Sequence, residues 1–102
     1  MTGNRIEIDG RLLGQPDVRI TPAGTPVLRF TVECGAPGEE LKLGIVMTGE
    51  AAMAAKQLLE PGRQVRVIGR IRALKGNLKT GPALEVVATS IRRNELKKNR
   101  IS

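Results

Sequence analysis

The 102-residue sequence contains no histidine, tryptophan or tyrosine, and only one cysteine and one phenylalanine. Without histidine, a Ser-His or Cys-His nucleophile pair is excluded, and a single thiol does not suffice for a transition-metal site. The sequence also has neither a phosphate-cradling glycine loop of the P-loop type nor a dinucleotide-binding fingerprint. We therefore predict a protein that is not an enzyme and that carries no metal and no cofactor.

The cysteine content and the hydropathy pattern restrict the compartment and the number of domains. Cys34 has no intramolecular partner, which favours a reducing compartment. No apolar run approaches the roughly 18 residues of a membrane-spanning helix, and the N-terminus alternates in polarity, unlike a signal peptide. We predict one cytoplasmic domain over residues 1–92 that makes no membrane contact, followed by a basic, flexible tail over residues 93–102.

Charge is distributed unevenly along the chain. There are 17 basic and 10 acidic side chains, which gives a formal charge of +7. Residues 1–50 hold five basic and seven acidic side chains, a charge of −2, whereas residues 51–102 hold twelve and three, a charge of +9. This asymmetry is typical of a protein that binds a polyanion. A basic, well-solvated domain without an anionic partner is the alternative.

Period-two alternation of apolar and polar residues predicts strands. The first alternating segment is residues 5–9 and resumes at residues 18–20; the other four are residues 28–33, 41–48, 65–72 and 84–91. Phe30 falls in phase with Leu28 and Val32, so we predict that its ring belongs to the core rather than to a binding surface. The segment 73–82 is rich in glycine and lysine and is predicted to be a basic loop.

One segment has the composition of a helix. Residues 50–60 are rich in alanine, and Pro61-Gly62 ends the pattern. Ala51, Ala55, Leu58 and Leu59 are predicted to form its apolar stripe. The predicted order of elements is thus β-β-β-α-β-β, the order of an OB-fold barrel, although periodicity alone does not prove that a barrel closes.

The N-terminal hairpin carries a resemblance to a known family. Its residues are Gly10, Pro16, Arg19, Thr21, Pro22, Gly24 and Phe30. In this order they resemble the opening hairpin of the bacterial single-stranded-DNA-binding (SSB) family and of its relatives, the primosomal replication protein N (PriB) proteins. The segment Gly62-x-x-Val-x-Val-x-Gly-Arg-Ile71 is similar to the fourth strand of the same proteins. The resemblance implies an all-β, five-stranded OB-fold Greek-key barrel with one short helix between strands 3 and 4.

Two features favour the PriB branch of this family. SSB proteins usually continue into a long tail with an acidic tip and stack bases on several aromatic side chains. This sequence closes on a basic segment and has one aromatic residue. The resemblance then implies a homodimer that binds single-stranded DNA, stimulates the PriA helicase with other primosome proteins, and helps to reload the replisome at stalled forks.

The resemblance also implies where nucleic acid binds. OB-folds bind strands across strands 2 and 3 and with the loops between strands 1 and 2 and between strands 4 and 5. The residues at these places and on the adjoining fourth strand are Arg19, Thr21, Arg29, Lys42, Arg66, Arg70, Arg72, Lys75 and Lys79. Three alternatives stay open: a general minimal single-stranded-DNA-binding protein, an RNA- or ribosome-associated OB module, and a protein-interaction domain whose basicity is incidental.

Overall fold

The computed structural model describes residues 3–77 and 81–94, with side chains described for residues 3–74 and 84–94. Five strands and one helix occur in the predicted order. They are β1 (Ile6–Ile20), β2 (Pro26–Cys34), β3 (Leu41–Thr48), α1 (Glu50–Lys56), β4 (Gln64–Asn77) and β5 (Gly81–Arg93). None of the helices in this part of the chain has the length and apolarity needed to span a membrane.

The five strands form a closed barrel in the order β1-β2-β3-β5-β4, which confirms the predicted OB-fold architecture. All neighbours are antiparallel except β3 and β5, which are parallel over three residue pairs. β1 closes the barrel because it serves two partners: Ile6–Arg11 pairs with β4, and Arg11–Ile20 pairs with β2. The register shifts between Leu13 and Asp17, where Gly14 has a positive φ of 69°, and such an irregularity lets a strand bend sharply.

The core is made by the inward residues of all five strands, as the alternation predicts. Its largest fully buried side chains are Leu12, Leu28, Val32, Ile45, Val65, Val67 and Val86. Phe30 is 5% exposed and lies in the same cluster, which confirms its prediction as a core residue. The helix packs against β2 and β3 and contributes Ala52 and Ala55 to this core.

The helix is shorter than predicted, and the buried residues match the predicted apolar stripe only in part. It ends at Lys56 rather than Glu60. The backbone then forms a tighter turn, in which the N–H of Leu58 donates to the carbonyl of Ala55 at 2.9 Å. Such i→i+3 bonds are typical of a final 3₁₀-like turn. The buried set is therefore Ala52, Ala55 and Leu59, while Ala51 is exposed and Leu58 is only half-buried. The prediction that Ala51 faces the core was wrong.

The prediction of a basic loop over residues 73–82 was also wrong for residues 73–77 and 81–82, whereas residues 78–80 lie outside the described residues. β4 extends to Asn77 and β5 begins at Gly81, and the two strands pair up to Asn77 and Gly81. Cross-strand pairing in a long antiparallel ribbon outweighs the local preference of glycine and proline for loops, and a proline is tolerated near the start of a strand. At the other end, β5 includes Arg93, and residues 95–102 of the predicted tail lie outside the described residues.

Candidate nucleic-acid interface

The outward residues of the five strands lie in rows across the barrel, because residues in register sit side by side. The first row is Leu13, Thr31, Gly44, Glu85 and Arg72. The second row is Asp17, Arg29, Val46, Val87 and Arg70. We refer to these two rows as the central face. It brings together Arg29, Arg70 and Arg72, which come from two strands that are distant in the chain.

A buried carboxylate organises two of these arginines. The side chain of Glu85 is 6% exposed, and its Oε2 accepts a hydrogen bond from Nη1 of Arg29 at 2.7 Å. Its Oε1 accepts from Nε and Nη2 of Arg72 at 3.0 and 2.8 Å. Charge-assisted bonds of this kind offset the cost of burying a carboxylate. Both guanidinium groups remain about half exposed, so the trio presents a net positive charge and free N–H donors to solvent.

The second row has an apolar floor that the alternation does not predict. Val46 points outward yet is 3% exposed, and it is the register partner of both Arg29 and Val87. The stem of an arginine side chain can cover apolar surface while its charged head stays in water. Arg29 is thus placed by a carboxylate at its head and flanked by apolar surface at its stem.

Two candidate cations are exposed and make no ion pair within the part of the chain whose side chains are described. Lys42 lies on β3, two residues before Gly44, and Arg70 ends the second row on β4. Neither makes an ion pair with any side chain in the described ranges 3–74 and 84–94. Their charge is therefore available to a polyanion without breaking an existing contact.

The candidates at the β1–β2 turn have local roles. Nε of Arg19 donates to Asp17 at 3.0 Å, and the guanidinium is largely exposed. The Oγ1 of Thr21 accepts from the N–H of Thr25 at 3.1 Å, and its backbone N–H donates to the Thr25 carbonyl at 2.9 Å. Thr21 therefore holds the hairpin turn closed, and Arg19 stands beside it at the edge of the central face.

Arg66 lies away from the central face. It faces β1, where its Nε and Nη2 donate to the two carboxylate oxygens of Asp9 at 2.8 and 3.1 Å. The hydrogen bond from Arg66 holds the pKa of Asp9 below its ordinary value, although partial burial opposes the shift. Lys75 lies in β4, but its side chain is outside the described set, and Lys79 lies outside the described residues altogether.

A shallow depression of about 280 Å³ opens in the first row. It is lined by Leu13, Gln15, Arg29, Phe30, Thr31, Gly44, Ile45 and Glu85. Gly44 is one of these lining residues, and a Cβ placed on it would have no atom within 4 Å, so the space beside its Cα is open. A second depression of about 270 Å³ is lined by Asp9, Glu33 and Glu40 and by one cation, Arg11, so its net negative charge disfavours a polyanion.

Sequence reasoning missed Glu85 and Gly44 as parts of this surface. Glu85 stands between Leu84 and Val86, so the alternation alone places it outward on the fifth strand. Its neighbours are the arginine-bearing β4 on one side and Gly44 on the other, and only the parallel pairing of β3 with β5 reveals this.

Comparison with known proteins adds sequence and fold relationships to this geometry. The model of the single-strand binding protein family matches residues 3–97. A single-stranded DNA-binding protein of Thermotoga maritima is 35% identical over 101 residues, which cover 87% of this chain and 72% of that protein. The crystal structure of the single-stranded DNA binding protein from Thermus aquaticus gives a TM-score of 0.78 at 25% identity, over 97% of this chain and 44% of that one. The SSB domain of a Synechococcus sp. protein has the same fold, with a TM-score of 0.75 at 21% identity over 91% and 98% of the two chains.

Proposed function

The chain belongs to the single-strand binding protein family, whose members bind single-stranded DNA without catalysing a reaction, and we propose that its central face holds the DNA backbone. The observation that carries this proposal is the cluster of Arg29, Arg70 and Arg72 on one outward surface, with Lys42 beside it. Arginine contacts phosphate in a bidentate manner or stacks its plane on a base. Binding of this kind releases counterions and is therefore strongly dependent on salt.

A charge-neutralising pair of substitutions tests the location of the site. We expect Lys42→Gln with Arg70→Gln to weaken binding of labelled oligo-dT by about tenfold at low salt. The slope of log affinity against log salt should fall by about 0.7 for each lost phosphate contact. Stability should change little, because neither side chain makes an ion pair in the described structure. Fluorescence anisotropy titrations at several salt concentrations measure both quantities.

The matched control removes the same charges elsewhere. Lys56 lies on the helix and Arg92 lies on β5 beside Arg66, so both are exposed and both are remote from the central face. Lys56→Gln with Arg92→Gln should leave the affinity within about twofold of the parent protein. If both double variants lost affinity for oligo-dT equally, the binding would depend on the overall charge of the protein and not on the central face.

The finer role that we propose is that of a cytoplasmic accessory protein of the replication-restart primosome. The only aromatic residue of the chain, Phe30, is buried, so no aromatic ring is available to stack a base. Base stacking on aromatic side chains contributes roughly 1–3 kcal/mol per base, and its loss leaves an affinity that depends on charge. When a partner protein is bound at the same fork, it raises the local concentration of a protein with modest DNA affinity, and the apparent affinity of that protein for the fork increases.

An unwinding assay tests this role. We expect the protein to raise the unwinding of forked DNA by the PriA helicase and to hydrolyse no ATP by itself. A flat response, with the helicase active alone, would contradict the primosomal role and leave a general minimal single-stranded-DNA-binding protein. The 35% identity to the Thermotoga maritima protein favours that second candidate. Tighter binding to RNA than to DNA would instead indicate an RNA- or ribosome-associated module.

We also propose a homodimer that forms through β1. Residues 6–10 pair with β4 on one side, whereas the ladder with β2 begins only at Arg11 and Glu33. An unpaired strand edge is a template for pairing with another chain. Light scattering at micromolar concentration should give about twice the 11.0 kDa mass of one chain. A mass of one chain would contradict the dimer.

A further inference from the structure

Gly44 is an outward residue without a side chain at the middle of the first row. Its register partners are Thr31 on β2 and Glu85 on β5, so its backbone is flanked on both sides by side chains. A Cβ built on Gly44 meets no atom within 4 Å, and the residue does not have a positive φ. Neither close packing nor backbone conformation therefore requires glycine here. What glycine provides at this position is open space.

The space over Gly44 belongs to a small surface depression. The depression measures about 280 Å³, just below the roughly 300–1,000 Å³ of pockets for drug-sized ligands. Its lining includes Gly44 on β3 and the half-buried, apolar Leu13 on β1. Glu85 on β5 also lines it, and the Glu85 carboxylate accepts a hydrogen bond from the Arg29 guanidinium at 2.7 Å.

The hydrogen bond to Glu85 fixes the Arg29 guanidinium in place before a base binds. A free arginine loses side-chain entropy when it stacks, whereas a guanidinium already bonded to a buried carboxylate has lost much of that freedom. Guanidinium planes of arginine can stack on unpaired bases, and arginine adds to base contacts in proteins that bind single strands. The cations Arg70 and Arg72 stand in the same two rows, so a phosphate backbone has partners next to the depression.

We infer that the depression over Gly44 seats one nucleobase of the bound strand, against Leu13, the β3 backbone and the Arg29 guanidinium. This inference rests on the proposed function, because the strand must first lie across the central face. Phe30 also lines the depression, but it is only 5% exposed, so the base contact that we assign to this face does not depend on an exposed aromatic ring. Binding there depends on the shape of the depression and on the fixed Arg29 guanidinium. We therefore expect the depression to accept any base and not to select a DNA sequence.

Comparison of two oligomers of equal length tests the seat. One probe is oligo-dT, and the other has the same phosphates with every base replaced by an abasic tetrahydrofuran unit. We expect the parent protein to bind oligo-dT about fivefold more tightly, the lower end of what one stacked base contributes. Gly44→Val fills the depression with a residue that favours strands, and it should bring the ratio of the two affinities to about one. The salt slope for oligo-dT should stay unchanged, because no phosphate contact is removed.

A matched variant on the same strand controls for added apolar surface. Thr48 is exposed and faces outward on β3 beyond the depression, so Thr48→Val should keep the fivefold ratio. Thermal unfolding confirms that Gly44→Val is folded. Two results would contradict base binding over Gly44: equal affinity of the parent protein for both oligomers with a normal salt slope, or an unchanged affinity ratio in Gly44→Val. Either result would leave the proposed phosphate contacts of the central face intact. If neither oligomer binds at low salt, the proposed function fails and the seat fails with it.

Discussion

We expect Phe30→Ala to lower the free energy of unfolding by about 3–5 kcal/mol. The ring is 5% exposed and points inward from β2, in line with the fully buried Leu28 and Val32. Its register partner Ile45 is held by the backbone ladder of β3, so the walls of the barrel cannot move inward to fill the space. The loss is a large part of the 5–15 kcal/mol that stabilises a domain of this size.

Denaturant or thermal unfolding measures this effect, and the melting temperature should fall by more than about 10 °C. Phe30→Leu is the matched control, because it keeps an apolar side chain at the position and should cost clearly less than the alanine variant. If Phe30→Ala instead melts like the parent protein and loses only DNA binding, the ring lies on the DNA face and its assignment to the core is wrong.

A similar loss is expected from the addition of a single methyl group at Gly69. A Cβ on this residue would lie 2.1 Å from the carbonyl oxygen of Val87 and 2.9 Å from the Cα of Ala88. Both are backbone atoms of β5 and cannot rotate away as the end of a side chain can. The register of β4 and β5 shifts between Ile68 and Gly69, and Thr89 is the extra residue at this bulge. Glycine at a bulge is typical of a close backbone approach.

Gly69→Ala should therefore lower the free energy of unfolding by about 3 kcal/mol or more, the upper end of the range for overpacking. Gly44→Ala is the matched control, since it makes the same chemical change on β3 where a Cβ meets nothing within 4 Å. Urea denaturation of the two variants gives the comparison. Equal stability of both would show that β4 and β5 are not in close contact at Gly69.

Period-two alternation predicted the inward residues well, because the side-chain period of a strand is a local property. Phe30 and its neighbours on β2 were assigned correctly for this reason. The phase of the short helix was not predictable in the same way, because the surface of β2 and β3 decides which alanines are covered. The resemblance to a known family supplied barrel closure, which the structure confirms, and an expectation of where DNA binds; neither follows from periodicity.

The pairing of the arginines could not be predicted from the sequence. Arg29 and Glu85 are 56 positions apart, and Arg66 and Asp9 are 57 positions apart, so their contacts depend on which strands become neighbours. An outward arginine on a strand looks the same in sequence whether it is free, as Arg70 is among the described residues, or bonded to a carboxylate. Strand order resolves this difference, and strand order is a property of the whole fold.

The parallel pairing of β3 with β5 is the ladder at which we expect the barrel to open. This ladder has three residue pairs, Gly44–Glu85 to Val46–Val87, and it joins strands about 40 positions apart in the chain. The β1–β2–β3 meander and the β4–β5 hairpin join strands that are close in sequence, and the other long-range ladder, between β1 and β4, has six residue pairs. We therefore expect the shorter β3–β5 ladder to form late in folding and to open early. The central face crosses this ladder, with Arg29 on one side of it and Arg72 on the other. A DNA strand that contacts both sides binds only the closed barrel, so occupancy and barrel closure are linked equilibria in which each favours the other.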